Sequence, residues 1–438
     1  MPKRLLSLLL ILFALQTASP VSSHSRAVTY PAQPSSINSV HASAIGRTNR
    51  RGQPLWPGSR FTEEDRRRAI MRGLKFIYRT ALNRRNFANY GPDYLWCFYS
   101  LSEAVKDEGA RRLARQMGLE RARLWRSQHR FVPADADAAT ISDLTYGNDA
   151  AESLGLPDDV LKEQLKRAAP RFKARDYLLF DPLTEPPPTD VPDECERCGA
   201  DNPRGNRVCF VCKHPLVMRT RYDVWYDALI TAYVGEHSGI TLGARYVDVL
   251  KWLPTLRPYN AKPGDGSEEF YDTVYAIAHV VYTLNNYSQY RISPKLLPQE
   301  FEFLKANIKQ AIAEKDTDML GEFMDSLRAF GLTTNDPSIR RGMEFYLSHQ
   351  NADGSWGDLH EKDIYMRYHP TWNAIAGLSE YRWEKEGLSF PEVRPLLEQW
   401  TRSKAEGEGR QAKAGDEGSD LIPPFALRLQ PLFPRPLP

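Results

Sequence analysis

Gln350-Asn351-Ala352-Asp353-Gly354-Ser355-Trp356-Gly357-Asp358, followed by Tyr368-His369-Pro370-Thr371-Trp372-Asn373-Ala374-Ile375, is the stretch from which the fold can be read. Ser338 to His349 places apolar residues at helical spacing, so a helix ends near Gln350. Gly354 and Gly357 permit the tight turn that follows it. Gln350 is long enough to hydrogen-bond the loop backbone, and Trp356 can cover the turn with a large apolar face. Pro370 fits the first position of a new helix, which then runs from His369 to Tyr381. The stretch reads as the corner between two antiparallel helices.

Working outward, the same helical period recurs in Arg66 to Leu82, Glu103 to Trp125, Asp158 to Ala169, Tyr222 to Glu236, Thr241 to Leu253, Glu268 to Tyr287, Glu300 to Ala313 and Met319 to Phe330. No alternating strand pattern competes, so the fold class is all-α. Several helices open with an acid or histidine and an aromatic three residues later: Asp93 and Trp96, Asp143 and Tyr146, Asp223 and Tyr226, Asp272 and Tyr275, His369 and Trp372. Asp318-x-x-Gly321 keeps the spacing without the aromatic. Successive starts lie about 50 residues apart, except from Asp143 to Asp223, where about 30 further residues intervene. This predicts about six helix-pair repeats, each too small to bury its apolar face alone and therefore stacked on its neighbours. A closed ring and an open solenoid both satisfy the spacing.

The Gln350 to Asp358 segment resembles the QW repeat of squalene and other terpenoid cyclases, and Tyr368 to Ile375 is similar to the inner-helix start that follows it in prenyltransferase/squalene-oxidase repeat proteins. The resemblance is specific over about residues 336–382 and extends to about 62–402 through the repeat register. It implies an α/α toroid of six inner and six outer helices. It does not bring a reaction with it: the D-x-D-D acid of one cyclase class and the D-D-x-x-D motif of the other are both missing, Asp135-Ala136-Asp137-Ala138 stopping short of the first. The protein prenyltransferases' catalytic zinc ligands find no convincing match around Cys97, which reads as a buried small side chain with a nucleophile as the other option.

The extra residues between the second and third repeats hold Cys195-Glu196-Arg197-Cys198-Gly199 and Cys209-Phe210-Val211-Cys212-Lys213. Two C-x-x-C knuckles can set four thiolates tetrahedrally around Zn²⁺, and the segment resembles a zinc ribbon. Four thiolates close the coordination sphere, so the zinc is expected to be structural; two disulfides are the alternative, because an exported chain meets oxidising surroundings. The ribbon is also the expected contact for a protein partner.

Export is suggested by the N-terminus. Lys3 and Arg4 precede an apolar run from Leu5 to Leu15, then small and polar residues near Ala18 and Ser23, the pattern of a secretory signal peptide; a signal anchor is the alternative. The expected organisation is therefore a signal peptide over 1–23, a leader over 24–60 rich in Ser, Pro and Arg, a first toroid part over 61–187, the zinc ribbon over 188–218, a second toroid part over 219–402 and an extended tail over 403–438. After cleavage no membrane span is expected, and the mature protein should be secreted or periplasmic. In 438 residues, 58 Lys and Arg face 55 Asp and Glu, a balance that argues against a nucleic-acid partner.

If the register holds, Asp93, Asp143, Asp223, Asp272, Asp318 and His369 encircle one mouth of the ring. Asp is a favoured helix N-cap, so capping is one reading. The other has these groups facing the cavity, where carboxylates and a histidine could hold a second metal or exchange protons. Trp96, Tyr146, Tyr226, Tyr275 and Trp372 are then cavity-lining candidates, with ring packing as the alternative. Asp272, Tyr275 and His279 share one helix face, and Asp227 is unusual in an apolar helix. Two functions remain open. One is an acid–base enzyme (lyase, isomerase or hydrolase) on a hydrophobic or oligomeric substrate, with Asp272 and His279 the first acid/base pair and His369 and Asp223 next. The other is a non-catalytic binding or scaffold protein.

Overall fold

The computed structural model describes residues 48–49, 51–53, 55–56, 59–262, 269–383 and 385–402. The expected signal peptide and tail, and most of the expected leader, lie outside these residues. Among the described residues there are fourteen bounded α-helices, a further helical stretch over 394–402, and no β-strand, only isolated bridges. In chain order they are α1 (Glu63–Leu82), α2 (Arg84–Ala104), α3 (Glu108–Gln128), α4 (Ala138–Ser153), α5 (Asp159–Ala168), α6 (Ala174–Leu178), α7 (Arg221–His237), α8 (Tyr246–Leu250), α9 (Leu253–Leu256), α10 (Glu269–Leu284), α11 (Pro298–Glu314), α12 (Thr317–Ala329), α13 (Pro337–His349) and α14 (Tyr365–Leu378).

Six of these pack in succession: α2 on α4, α4 on α7, α7 on α10, α10 on α12 and α12 on α14, while α14 reaches back to α1 and α2. The others lie against this series, α3 on α2, α5 on α4, α8 on α7, and α11 and α13 on α12. The chemistry of the series explains which helices periodicity finds. α1, α3 and α5 keep a polar outer face and an apolar inner stripe, so their period is clear. α4 is buried on nearly all sides from Leu144 to Ala151, which erases the stripe. α2 escapes periodicity for a second reason: Tyr90 leaves helical geometry (φ −129°) two residues before Pro92, and the helix restarts close to Asp93.

Several boundaries differ from the sequence reading; Glu103 and Ala104, for example, close α2, and α3 starts only at Glu108. Thr241 to Leu253 is not one helix, because Gly239 and Gly243 take positive φ and hold the chain out of helical form until α8. Gly243 is also a close approach: a Cβ there would sit 2.7 Å from Ala174 Cα. α14 begins at Tyr365, ahead of Pro370, which lies inside the helix.

The corner between α13 and α14 is built much as its residues suggest. Gln350 Nε2 donates to Gly354 O (3.0 Å) and also to Ala69 O on α1 (2.8 Å). Trp356 is fully buried, its Nε1 donating to Tyr346 O at 2.8 Å, and a Cβ on Gly73 of α1 would lie 2.9 Å from its ring. The corner thus ties the last helices to the first. No helix among the described residues is long and apolar enough to cross a membrane.

Candidate functional site

The chain between α6 and α7 makes an excursion whose two ends pair, Asp193 N donating to Val217 O and Arg219 N to Val191 O, both at 2.9 Å. At its tip the four cysteines converge. Cys195 and Cys212 Sγ lie 3.4 Å apart, Cys198 and Cys209 Sγ 3.6 Å, and all four Sγ atoms fall within 4.8 Å of one another. Tetrahedral Zn–S bonds of about 2.3 Å place sulfurs roughly 3.8 Å apart, so the set can hold a metal such as zinc. None of the pairs is at the disulfide bonding distance of about 2.05 Å, and all are free cysteines. The two knuckles have matching backbones. Gly199 N donates to Cys195 O (2.7 Å), and Lys213 N to Cys209 O (2.9 Å). Gly199 and Lys213 follow the second cysteine of each knuckle and both take left-handed φ, +62° and +61°. Asn202 links the knuckles, accepting from Phe210 N and donating to Ala200 O. Among the described residues this is the sole group of three or more His, Cys, Asp and Glu that could hold a metal; the residues expected at the mouth do not converge into another.

Among the cavities along the helix series, three are joined by shared walls. An interior cavity of about 60 Å³ is lined by Asp93, His279, Glu322, Asp325, His369 and Trp372, with Tyr146, Tyr282, Tyr287 and Tyr365 among its aromatics. A mouth cavity of about 380 Å³ shares Tyr365 and His369 with it. A third, of about 470 Å³, shares Tyr146 and Ile230 with the interior and is roofed by the cysteine excursion through Val191, Glu194 and Asp201.

Between interior and mouth stands a hydrogen-bonded cluster drawn from three helices. His369 Nδ1 (α14) lies 2.9 Å from Asp318 Oδ1 (α12), which also accepts from Asn373 Nδ2 at 2.8 Å. Tyr275 OH (α10) donates to Asp318 Oδ2 at 2.6 Å. Asn373 Nδ2 also reaches Glu322 Oε1 at 2.9 Å, while Glu322 Oε2 is buried with no partner. Helical spacing makes the cluster possible, since Asp318 and Glu322, like His369 and Asn373, are one turn apart on one face.

Electrostatics set these groups apart. Burial alone would strip the proton from His369, but the Asp318 carboxylate outweighs it and pushes the ring up to about 9. Burial also works against charge on Asp318, yet His369 and the hydrogen bonds hold its carboxyl below the usual range. Glu322 is pushed up to about 8 by burial and by the Asp318 charge. His279 has no such counter-charge in contact, and burial pushes it down to about 4. Its Nδ1 lies 2.7 Å from Tyr275 O, an acceptor only, so Nδ1 carries the proton and Nε2 is the basic nitrogen.

The other residues singled out by the sequence have the following places. Asp93 lines the interior cavity and accepts from Tyr368 OH at 2.6 Å. Tyr146 and Trp372 line the interior, and Tyr275 the mouth. Trp96 is fully buried against Tyr146, and Tyr226 is stacked on His279 at 5.0 Å. Asp272 Oδ2 accepts from Thr220 Oγ1 at 2.7 Å. Asp227 accepts from Arg219 at 2.7 Å, and Asp223 lies 3.7 Å from the same guanidinium. Asp143 lines the cavity under the excursion, and burial pushes its carboxyl up to about 7. The caps of α4, α7 and α12 are Asp137, Thr220 and Asp316, so Asp143, Asp223 and Asp318 are not the N-caps. Glu322, Asp325 and Asn373 escaped the sequence reading. The signal for Glu322 was the one already noted at Asp227, an acid inside an apolar helix.

Comparison with protein-family models, with curated proteins and with solved structures gives no match to this chain.

Proposed function

We propose that this chain is an exported α/α toroid of the terpenoid cyclase/prenyltransferase-repeat type, with zinc in its four-cysteine module and an acid–base active site in its central cavity. The closed order of helix packing supports the toroid, with α2, α4, α7, α10, α12 and α14 as inner helices. The observation that carries the enzymatic reading is that one cavity wall holds two histidines in opposed surroundings, His369 against the Asp318 carboxylate and His279 against a backbone carbonyl, which favour opposite protonation states. Groups whose surroundings drive them apart in this way mark the acid and the base of a proton-transfer site. His279 Nε2 takes a proton from a substrate C–H or O–H. His369, oriented and kept charged by Asp318, delivers its own proton to the atom that accepts it. Asn373 fixes Asp318 and Glu322. Elimination, isomerisation and hydrolysis all fit these roles.

The test is incubation in D2O with oligosaccharide, polyprenyl and polyamine panels, read by mass spectrometry for deuterium incorporation or bond cleavage. His369→Gln and His279→Gln are each expected to reduce turnover by about 10²–10⁴-fold with the fold retained. Wild-type protein inert on the panels, or variants as active as wild type, would transfer the weight to a binding role. One observation favours that second reading: Val208, Phe210 and Val211 are exposed together on the second knuckle, a face suited to a protein partner.

A further inference from the structure

The chain as a whole is close to neutral, 58 basic residues against 55 acidic, but its cavity walls are not. The mouth cavity carries Glu314, Asp316, Asp318, Asp358 and Glu361 against Lys315 and His369. The interior carries Asp93, Glu322 and Asp325 with no Lys or Arg, and the His369 charge there is already paired with Asp318. The cavity under the cysteine excursion has three arginines, each engaged: Arg219 by Asp193 and Asp227, Arg204 by Asp190 and Glu185, Arg175 by Glu185. On the same wall Asp143 has no hydrogen-bond or ion-pair partner.

An acid-rich wall alone can be a solvated surface. Glu322 is different. It is 1% exposed, lines the interior cavity, and its Oε2 has no hydrogen-bond partner. A buried carboxylate oxygen left in this state is costly unless a donor reaches it. Tyr282 OH, also buried on the interior wall with no hydrogen bond of good geometry, faces the Glu322 carboxyl as an internal donor. The aromatic rings around the interior favour a cation over an anion. The interior shares Tyr146 and Ile230 with the excursion-side cavity and Tyr365 and His369 with the mouth, so a ligand longer than the interior has room on either side.

We propose that the cavities select an extended organic cation, an amine-bearing chain with one ammonium donating to Glu322 Oε2 and a second facing Asp143. This names the substrate class of the site proposed above and rests on that site being a ligand cavity, but not on its proton-transfer chemistry. Burial alone favours the neutral acid at Glu322, so an ammonium at Oε2 has to draw it into the charged carboxylate, a gain that an anionic chain of equal length cannot supply.

The test is calorimetric binding of spermidine, with adipate as the anionic comparator, to the metal-loaded full chain. Spermidine is expected to bind, adipate to bind at least roughly tenfold more weakly, and Glu322→Gln to cost spermidine about tenfold or more in affinity. A melting temperature unchanged in the variant shows that the loss is not unfolding. If Glu322→Gln does not fold, Asp143→Asn decides, with weaker spermidine binding expected. Absent spermidine binding, equal binding of adipate, or unaltered affinity in the deciding variant would overturn the proposal. Because binding is read without turnover, its failure leaves proton transfer by His369 standing, and loss of turnover leaves amine binding standing.

Discussion

At the residue scale, the protein places the same ring in two opposed environments. His369 faces a carboxylate it can hold and His279 faces a backbone carbonyl. Ring titrations followed by NMR are therefore expected near 9 for His369 and near 4 for His279. Asp318→Asn removes the counter-charge but not the burial, so His369 should fall below its ordinary value of about 6.5. The sign for stability follows. His369 is raised on folding, so its contribution is fully present below about pH 6.5 and is lost as pH rises through 9; Asp318 is lowered, so its contribution is present above about pH 3.9 and fades as pH falls further. A His369 titration near 6.5 that ignores the Asp318 substitution would contradict this account. Sequence reasoning could pick out His369, His279 and Asp318 from their place in the repeat. It could not pair His369 with Asp318, because the two are 51 positions apart and meet only when α12 and α14 pack.

At the element scale, the crossing of α12 and α14 holds the site together. Gly321 makes that crossing possible: a Cβ there would lie 2.4 Å from Asn373 Cβ and 2.7 Å from its backbone carbonyl carbon. Backbone cannot yield as a flexible side chain does, so Gly321→Ala is expected to cost about 1–3 kcal/mol or more in chemical denaturation. It should also shift the His369 titration, because Asn373 carries the hydrogen bonds to Asp318 and Glu322. The cysteine excursion behaves as a separate element. Cys198→Ser, or a strong chelator, is expected to release one zinc per chain and raise amide exchange across residues 191–219, while α10, α12 and α14 stay protected. Uniform loss of protection would mean that the excursion is part of the main cooperative unit.

At the scale of the whole molecule, the corner at Gln350 to Gly357 does what its residues imply, and it does so between α1 and the α13–α14 pair. Arg72 Nη2 on α1 donates to Asn351 O and Ala352 O, at 2.7 and 2.9 Å, beside the Gln350 bond to Ala69. Trp356→Ala leaves a large buried void under α1, α13 and α14 and is expected to cost about 3–5 kcal/mol, lowering the melting temperature in one cooperative transition. A separate early transition confined to α1 and α14 would show that the packing cycle opens there without the rest.

What the sequence determined by itself is what short-range chemistry encodes. Apolar period gave the amphipathic helices, glycines at 354, 357 and 199 marked tight turns, and the two C-x-x-C pairs fixed the cysteine cluster, because all of these depend on residues within a few positions of one another. The tertiary structure alone decided which acids cap helices and which line cavities, that Asp318 rather than Asp272 meets a histidine, and that Glu322 is left with an open oxygen. Those outcomes depend on how far apart segments are turned about their axes when they pack, and a rotation of one residue, about 100°, moves a side chain from cavity to core.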